Sequence, residues 1–390
     1  MKQFKLENGL TLVVVPKNNQ GNVTVSVSVG VGHNNETVET LGLCALYESV
    51  LLKQAFGIQA MYGGTITTFI TDTEVGMLEQ VFDEMAKLIV CPNLDQELVD
   101  VAAADIVRHT KDMAPLVRRQ LKLLYKHTAY ANDKIVWDTR SYINSVQGFK
   151  TKNLQKHHDR YYVGKNLVLE VSGGGIDCEE VLELADLYFG SIPAGKKNPA
   201  PKHFYTGGFA QIPAEQMQML LFGWDVSDLS NVSEANVMMH MLRGRLERSF
   251  SGTDVAFGVK IAGYYGRRSL QISVQTQNTP LNQCIDVVTE NVKRLKGTLA
   301  SDRRLESSRN LAMAEKLFLF ERPIEGAYEI GWQILGRGDM YSVQERISST
   351  WKVTARDVQE IAQHIFARKL TLVAAANEPL YDYEDVCNKM

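Results

Sequence analysis

In this 390-residue chain, the patterns that predict strands and helices follow one another in an order that restricts the possible folds. The first half begins with two runs rich in β-branched residues, LTLVVVP and NVTVSVSVGVG, which are typical of strands. An apolar helix, a threonine-rich strand, several amphipathic helices and a last strand, NLVLEVSGG, follow. In the second half the same order returns, from the strand QMLLFGW to the strand LTLVAAAN. The sequence therefore predicts two similar units, each made of a sheet and packed helices.

The two halves meet at residues 191–208, where prolines, glycines and lysines crowd together without periodicity. We predict an α+β fold with one domain over residues 1–195 and a homologous domain over residues 205–390. The repeat is one of element order, because residue identity between the halves is faint. We also predict that the first two strands are neighbours, and that the threonine-rich strand GGTITTFITDTEV lies at a sheet edge.

Composition excludes several classes of protein. Hydrophobic residues make up 45% and charged residues 22% of the chain, which is the balance of a soluble globular protein with large cores. The net charge of -3 gives no electrostatic footprint for nucleic acid or an anionic membrane. No run of 18 apolar residues occurs, and the start lacks a signal-peptide core, so we expect a cytoplasmic protein without a membrane partner. Five scattered cysteines predict reduced thiols.

The apolar helix of the first half, LGLCALYESVLL over residues 41–52, contains a spacing of chemical interest. Ala45 and Ser49 are four residues apart and share a helix face with Glu48. Histidines at the two outer positions would complete H-x-x-E-H, in which the histidines hold zinc and the glutamate activates its water. A glutamate among leucines also has a simpler interpretation, as a residue at the polar border of the helix.

The chain resembles the pitrilysin/insulinase/mitochondrial-processing-peptidase superfamily of zinc metallopeptidases over most of its length. The likeness begins at ETVETLGLCALYESVLLK, which is similar to the H-x-x-E-H segment, and continues in YGGTITTF, similar to the Gly-Gly strand that follows it. It includes YKHTAYANDKIVWDTRSYINSV, although Thr128 replaces a proline and Trp137-Asp138 interrupts a glycine. It extends through HHDRYYVGKNLVLEVSGG, with Tyr162 and Asn166 in register, to RLERSFSGTDVAFGV, which is similar to an arginine-then-tyrosine segment.

This resemblance implies a zinc site that the chain has lost. The two histidine positions hold Ala45 and Ser49, neither of which coordinates zinc at useful strength. The family's third ligand is a glutamate on the helix DQELVDVAAADIVRHT, where the best matching position is Asp105. Glu48 remains, but a general base needs a metal-bound water to act upon. We therefore expect no metal, no cofactor and no peptide hydrolysis by the chain alone.

The resemblance also implies positions that contact a peptide. Family members add an extended substrate to a sheet edge and hold its backbone with an arginine and a tyrosine. Arg248 is the nearest arginine, and Phe257 occupies the tyrosine position without the hydroxyl. The predicted substrate-binding residues are Thr67, Thr68, Arg243, Arg245, Arg248 and Phe257.

Several of these residues have ordinary structural interpretations. The three arginines resemble an anion site, yet basic side chains late in a helix are also favoured by its dipole. His157 and His158 could bind metal, but adjacent residues point to different helix faces, so one packed and one exposed ring is the default. Cys44 has no histidine beside it in the sequence, which favours a buried, inert thiol over a nucleophile.

The resulting hypothesis is a non-catalytic homologue that pairs with a zinc-bearing homologous subunit to bind a peptide or unfolded polypeptide. Two alternatives come from other classes. One is a structural subunit of a larger complex that handles no peptide, and the other is an enzyme with an unrecognised site. The partner found with the chain would separate them: a zinc-bearing homologue, an unrelated complex, or none.

Overall fold

A computed structural model describes residues 1–18, 21–113, 116–130, 138–199, 203–214, 217–229, 232–264, 267–338, 340 and 342–390. Trp137, part of the interrupted segment noted above, lies outside these residues. None of the described helices is both long and apolar enough to cross a membrane.

Strands β1 to β11 are, in chain order, Lys2–Lys5, Thr11–Pro16, Asn22–Val29, Gln59–Tyr62, Thr67–Glu74, Leu167–Gly173, Gly208–Ile212, Gln218–Asp225, Ala256–Tyr264, Arg267–Thr276 and Leu370–Ala375. Helices α1 to α14 are Leu43–Leu52, Leu78–Ile89, Gln96–Met113, Val117–Ala129, Thr139–Gly148, Thr151–Tyr161, Cys178–Phe189, Val232–Ser249, Leu281–Gly297, Asp302–Glu321, Pro323–Trp332, Val343–Lys352, Ala355–Phe366 and Tyr383–Lys389. A π-helical turn spans Gln333–Arg337, and short 3₁₀ turns cover His33–Asn35, Val38–Thr40, Val75–Met77 and Gly164–Asn166.

The chain divides into two compact units that are not contiguous in sequence. The first contains Met1–Asp112, Trp137–Pro201 and Leu319–Met340; the second contains Met113–Val136, Lys202–Phe318 and Tyr341–Met390. The domain boundaries at residues 195 and 205 stay a prediction. The compact units differ from that division in two segments, the one with α4 and the one with α11.

The two sheets repeat one topology. The first has the order β1-β2-β6-β3-β5-β4, and the second has β7-β11-β8-β10-β9. Without β1 the two sheets have the same strand order. In each sheet the first two strands of that order, β2 with β6 or β7 with β11, are parallel to each other. The predicted two sheet-plus-helices halves and the α+β class are therefore confirmed.

Two expectations about the first sheet were wrong. β2 and β3 are not neighbours, because β6 from residues 167–173 lies between them. The threonine-rich strand β5 is not at the edge either, since it pairs with β3 on one side and β4 on the other. The edge strand is the short β4, which the sequence patterns did not reveal.

Alternation of side chains places a core on one face of the first sheet. In β3, Val23, Val25 and Val27 are buried in a cluster with Leu46 of α1 and Phe82 of α2. The second unit has its own core around Phe222, Trp224, Met238 and Ile272. Helix α1 is thus fixed by its apolar face against the first sheet, and its other face carries Ala45, Glu48 and Ser49.

Candidate functional site

Helix α1 places the three motif positions outside the core, as the spacing predicts. Its buried face includes Leu46, Tyr47 and Val50, whereas Ala45, Glu48 and Ser49 are half-buried. Gly42 precedes the helix at φ 83°, a left-handed conformation that favours glycine.

Glu36, which the sequence analysis did not single out, caps this helix. Its carboxylate is buried and accepts hydrogen bonds from the backbone N–H groups of Gly42 at 2.9 Å and Cys44 at 3.0 Å. Burial raises its pKa to about 7, although these two bonds oppose the rise. No local pattern predicts this role, because Glu36 reaches the helix from a loop six and eight residues away.

Glu48 has an acidity unusual for a carboxyl group. Burial alone raises its pKa to about 7, and among the described residues it has no hydrogen-bond or ion-pair partner. Cys44 is 5% exposed, and burial followed by the charge of Glu36 raises the pKa of its thiol. Burial therefore favours the neutral form of Glu48 more than in an exposed glutamate, and it keeps the Cys44 thiol protonated, as expected of the inert thiol that its sequence context favours.

The two adjacent histidines of α6 pack on α1 with aromatic neighbours. Tyr47 Oη lies 2.7 Å from His158 Nδ1, and the rings of His157 and Tyr162 lie 5.0 and 4.9 Å from the Tyr47 ring. Burial lowers the pKa of His157 to about 3, so this ring stays neutral. His157 is buried and His158 is half-buried, which fits the packing interpretation rather than a metal site.

Asp105, the candidate third ligand, is bound to cations of the chain itself. Its Oδ2 lies 2.6 Å from Lys53 Nζ and its Oδ1 lies 2.7 Å from Arg108 Nη2. The hydrogen bond from Lys53, followed by the Lys53 charge, lowers the pKa of Asp105. Lys53 is four residues after Ser49, so the same face of α1 presents an ammonium group to this carboxylate.

A zinc ion does not fit this set of residues. Ala45 has no donor atom, Ser49 offers only a hydroxyl, and Asp105 is already neutralised by Lys53. Within the described part of the chain, no group of three or more His, Cys, Asp or Glu side chains is placed to hold a metal ion. Helix α1 and Asp105 therefore do not supply the zinc ligands on which the family's hydrolytic step depends.

The predicted peptide-contact threonines lie inside the sheet. Thr67 and Thr68 are 3% and 0% exposed; Thr67 donates to the Val31 carbonyl, and the Thr68 hydroxyl lies 2.7 Å from Ser28 Oγ. Their assignment to substrate stays a prediction. The backbone that could pair with a peptide at this end of the sheet belongs to β4.

The predicted arginines separate along α8. Arg245 is 8% exposed, while Arg243 and Arg248 are exposed. The hydrogen bond between Glu315 and His240 is the main cause that lowers the pKa of Glu315, and the charge of Arg243 lowers it further. Phe257 is half-buried on the edge strand β9, with its ring 5.6 Å from Phe250. Their role in substrate binding also stays a prediction.

Residues 149–311 match the family described as "Peptidase M16 inactive domain". Three relatives illustrate the similarity among curated proteins. "Zinc protease PqqE" of Helicobacter pylori is 27% identical over 207 residues, which is 48% of this chain and 46% of that protein. "Probable mitochondrial-processing peptidase subunit alpha-2, chloroplastic/mitochondrial" of Arabidopsis thaliana is 19% identical over 98% of this chain and 84% of its own length. "Mitochondrial-processing peptidase subunit beta" of Bos taurus is 23% identical over 68% and 59%. The chain thus spans about half the length of the Helicobacter relative and 59% of the bovine one.

Two solved structures share the fold. A chain of "Complex III2 from Candida albicans, Inz-5 bound" has a TM-score of 0.87 at 14% identity, covering 100% of this chain and 99% of that one. A chain of "The crystal structure of a protease from Helicobacter pylori" has a TM-score of 0.81 at 15% identity, covering 97% and 99%. These two likenesses show the fold alone. The family match over residues 149–311 and the relatives named as zinc protease and processing peptidase support the M16 superfamily of peptidases for this chain, which has Ala45 and Ser49 at the histidine positions of H-x-x-E-H.

Proposed function

We propose that this chain is the non-catalytic subunit of a two-subunit peptidase and presents a peptide-binding surface to a homologous subunit that carries H-x-x-E-H. The observation that carries the proposal is helix α1, which keeps Glu48 but has Ala45 and Ser49 where zinc ligands would stand. Relatives named as alpha and beta subunits of a processing peptidase support a division of labour between two chains. The cytoplasmic location stays a prediction.

The open edge of the first sheet supports the peptide-binding part of the proposal. The Gly63 N–H donates to the Ile66 carbonyl at 2.9 Å, which makes that pair a hydrogen-bonded one. Because hydrogen-bonded and non-hydrogen-bonded pairs alternate along an antiparallel ladder, Ala60 and Tyr62 direct their backbone groups away from β5. These are the groups to which an extended peptide would add a strand.

A structural role without peptide handling is the second candidate, and the fold likeness to a chain of a complex III assembly is the observation that favours it. The two candidates differ in what the edge strand does. In a structural subunit β4 binds no ligand. In a peptide-binding subunit the outward-facing N–H groups of this strand pair with the peptide.

The test begins with the partner. Affinity purification from the source cells, followed by mass spectrometry, identifies the bound chains, and the purified pair is then assayed for peptide cleavage. We expect an H-x-x-E-H homologue as partner and cleavage only by the pair. A partner that is fully active alone, or an unrelated complex, would favour the structural candidate.

The edge strand is tested with matched proline variants. Ala60→Pro removes an N–H that points outward and should leave the sheet intact, since proline is tolerated at an edge. We expect at least a tenfold loss of peptide affinity in the assembled pair, measured by fluorescence anisotropy, from the loss of main-chain pairing. Met61→Pro is the control, because this residue bonds to β5 and its change should lower the unfolding temperature instead. Unchanged affinity in Ala60→Pro would remove β4 from the peptide site.

A further inference from the structure

The second unit contains an open pocket of about 490 Å³ between α8 and the beginning of α10. Its polar lining includes Arg248, Arg303 and Arg304, and the hydroxyl residues Ser301, Ser307 and Ser308. Among its described lining residues there is no aspartate or glutamate. The pocket is therefore lined by cations and hydroxyl donors, the groups that proteins use to bind anions.

Arg245 adds a buried positive charge beside this pocket. It is 8% exposed, its Nε is buried without a hydrogen-bond partner, and no carboxylate of the described residues forms an ion pair with it. Burial lowers its pKa, and the charges of Arg304, Arg248 and Arg294 lower it further, in that order. A buried cation surrounded by cations is costly unless an anion compensates it.

The beginning of α10 breaks a local rule in the same place. Asp302 is its first residue, and Arg303 and Arg304 follow in the first turn, where free N–H groups give the helix a partial positive charge. Positive side chains are disfavoured at that end of a helix. The dipole explains Arg248 at the end of α8, but it does not explain arginines at the start of α10 or the buried Arg245.

The internal repeat gives the pocket a counterpart in the first unit. Counting from the matching strands, α8 corresponds to α1 and α10 corresponds to α3. In the first unit, the α1–α3 contact is neutralised within the chain by Lys53 and Asp105 at 2.6 Å. At the α8–α10 contact the acid is Glu315, which pairs at 2.8 Å with His240, another residue of the pocket lining, and not with an arginine. Among the described residues no carboxylate forms an ion pair with Arg245, Arg248 or Arg304, so the positive charge of these arginines is left for an anion from outside the chain.

We propose that this pocket binds a small phosphate-bearing anion, with Arg248, Arg303 and Arg304 around the phosphate. A guanidinium group can donate two parallel hydrogen bonds to the oxygens of one phosphate, and serine hydroxyls supply further donors. Met241 and Leu311 also line the pocket, so an organic part of the ligand has apolar surface to contact. The shared chemistry is the phosphate group, whether it is free or carried by a metabolite. This inference goes beyond the proposed peptide-binding role and does not depend on it.

The experiment is isothermal titration calorimetry of the full-length chain with inorganic phosphate, pyrophosphate and citrate at constant ionic strength. A parallel measurement records the unfolding temperature with each anion. We expect saturable binding of phosphate or pyrophosphate and a rise in the unfolding temperature, with citrate much weaker. Pyrophosphate binding tighter than phosphate indicates a ligand with more than one phosphate, and equal binding indicates free phosphate or a monoester; both outcomes support the site.

Arg248 and Arg304 are exposed, so replacing either one should not disturb folding. Arg304→Gln and Arg248→Gln should each weaken phosphate binding by about tenfold to a hundredfold, the loss expected for one charge-assisted contact. Arg356→Gln is the matched control, because Arg356 is also an exposed arginine in the first turn of a helix, α13, and pairs with Glu360 outside the pocket. Arg245→Met should raise the unfolding temperature of the free protein and reduce the rise caused by phosphate.

Three results would overturn the proposal. The first is no saturable binding of either phosphate at millimolar concentration. The second is binding that Arg304→Gln and Arg248→Gln weaken no more than Arg356→Gln does. The third is arginine-dependent binding of citrate or of an acidic peptide that exceeds the binding of phosphate, which would assign the pocket to carboxylates.

Discussion

Among single residues, Glu170 is a buried acid of the first unit whose carboxyl group is only partly hydrogen-bonded. It lies in the central strand β6, is 4% exposed, and its Oε2 has no hydrogen-bond partner among the described residues. Burial raises its pKa from 4.5 to about 7, while the charge of Lys17 and bonds with Ser172 and Ser26 oppose the rise. The protonated form is therefore favoured by the fold, because a neutral carboxyl is cheaper to bury than a carboxylate.

Glu170→Gln should stabilise the protein at alkaline pH. A group whose pKa is raised on folding contributes stability that is complete below pH 4.5 and is lost as pH rises through about 7. At pH 8 the variant should gain up to about 3 kcal/mol in the free energy of unfolding, and at pH 4 it should gain almost nothing. Urea unfolding at both pH values measures the difference.

Glu7→Gln serves as the control for this prediction, because Glu7 is an exposed glutamate of the same unit. Its effect should be small and the same at both pH values. An equal gain for Glu170→Gln at pH 4 and pH 8 would show that ionisation of Glu170 is not the cause. Glu36 and Glu48 have pKa values raised to about 7 as well, so the wild-type protein should lose stability over the same range.

Helix α1 carries the second prediction, at the scale of elements. The wild-type chain should bind no stoichiometric zinc there, and Ala45→His/Ser49→His should gain only weak binding. Two imidazoles fall short of the three protein ligands of a catalytic zinc site, and Asp105 is held by Lys53. Adding Lys53→Met to the double variant frees one cation from Asp105 and should tighten zinc binding. Competition titration against a zinc indicator measures all three proteins.

A lysine elsewhere provides the comparison for this series. Lys87→Met removes an exposed lysine that pairs with Asp83 on α2, so it should leave the zinc affinity of the double variant unchanged. One tightly bound zinc per wild-type chain, lost on Glu48→Gln, would contradict the interpretation of α1 as a degenerate site.

The elements that could be predicted are those with strong local periodicity. The helix over residues 41–52 and the strands β2, β3, β6, β8 and β11 are where the sequence patterns place them. Strand order could not be read in this way, because β6 enters between β2 and β3 from about 140 residues later. The short edge strand β4 has too few residues for a pattern to emerge. The partners Glu36 and Lys53 were missed for a different reason. Glu36 reaches α1 from a loop, and the spacing that places Lys53 on the same face as Ser49 does not reveal that Asp105 of α3 lies opposite it.

At the scale of the whole molecule, the repeat is complete but its pieces are not confined to the halves of the sequence. After each hairpin, β4-β5 or β9-β10, the third helix is α4 in one half and α11 in the other. Helix α4 packs within the second unit, where Leu121 and Tyr125 are buried with Leu221 and Val373. Helix α11 and the π-helical turn pack within the first unit, where they cover Val13 and Val168. Each compact unit therefore needs a segment that the other half of the sequence supplies.

Fragments cut at the glycine- and proline-rich stretch should for that reason fail to fold alone. The fragment of residues 205–390 lacks α4, so the sheet face with Leu221 and Val373 would be exposed. Each large apolar side chain left in water costs about 1.5 to 3 kcal/mol, and a few such losses consume the roughly 5 to 15 kcal/mol that stabilise a typical domain. Each fragment should bind the dye ANS and unfold without a cooperative transition, while co-expression with the fragment of residues 1–195 should restore a cooperative thermal transition in circular dichroism. Cooperative unfolding of the isolated 205–390 fragment near the temperature of the intact chain would show that α4 is dispensable, and that the sequence halves are themselves the folding units.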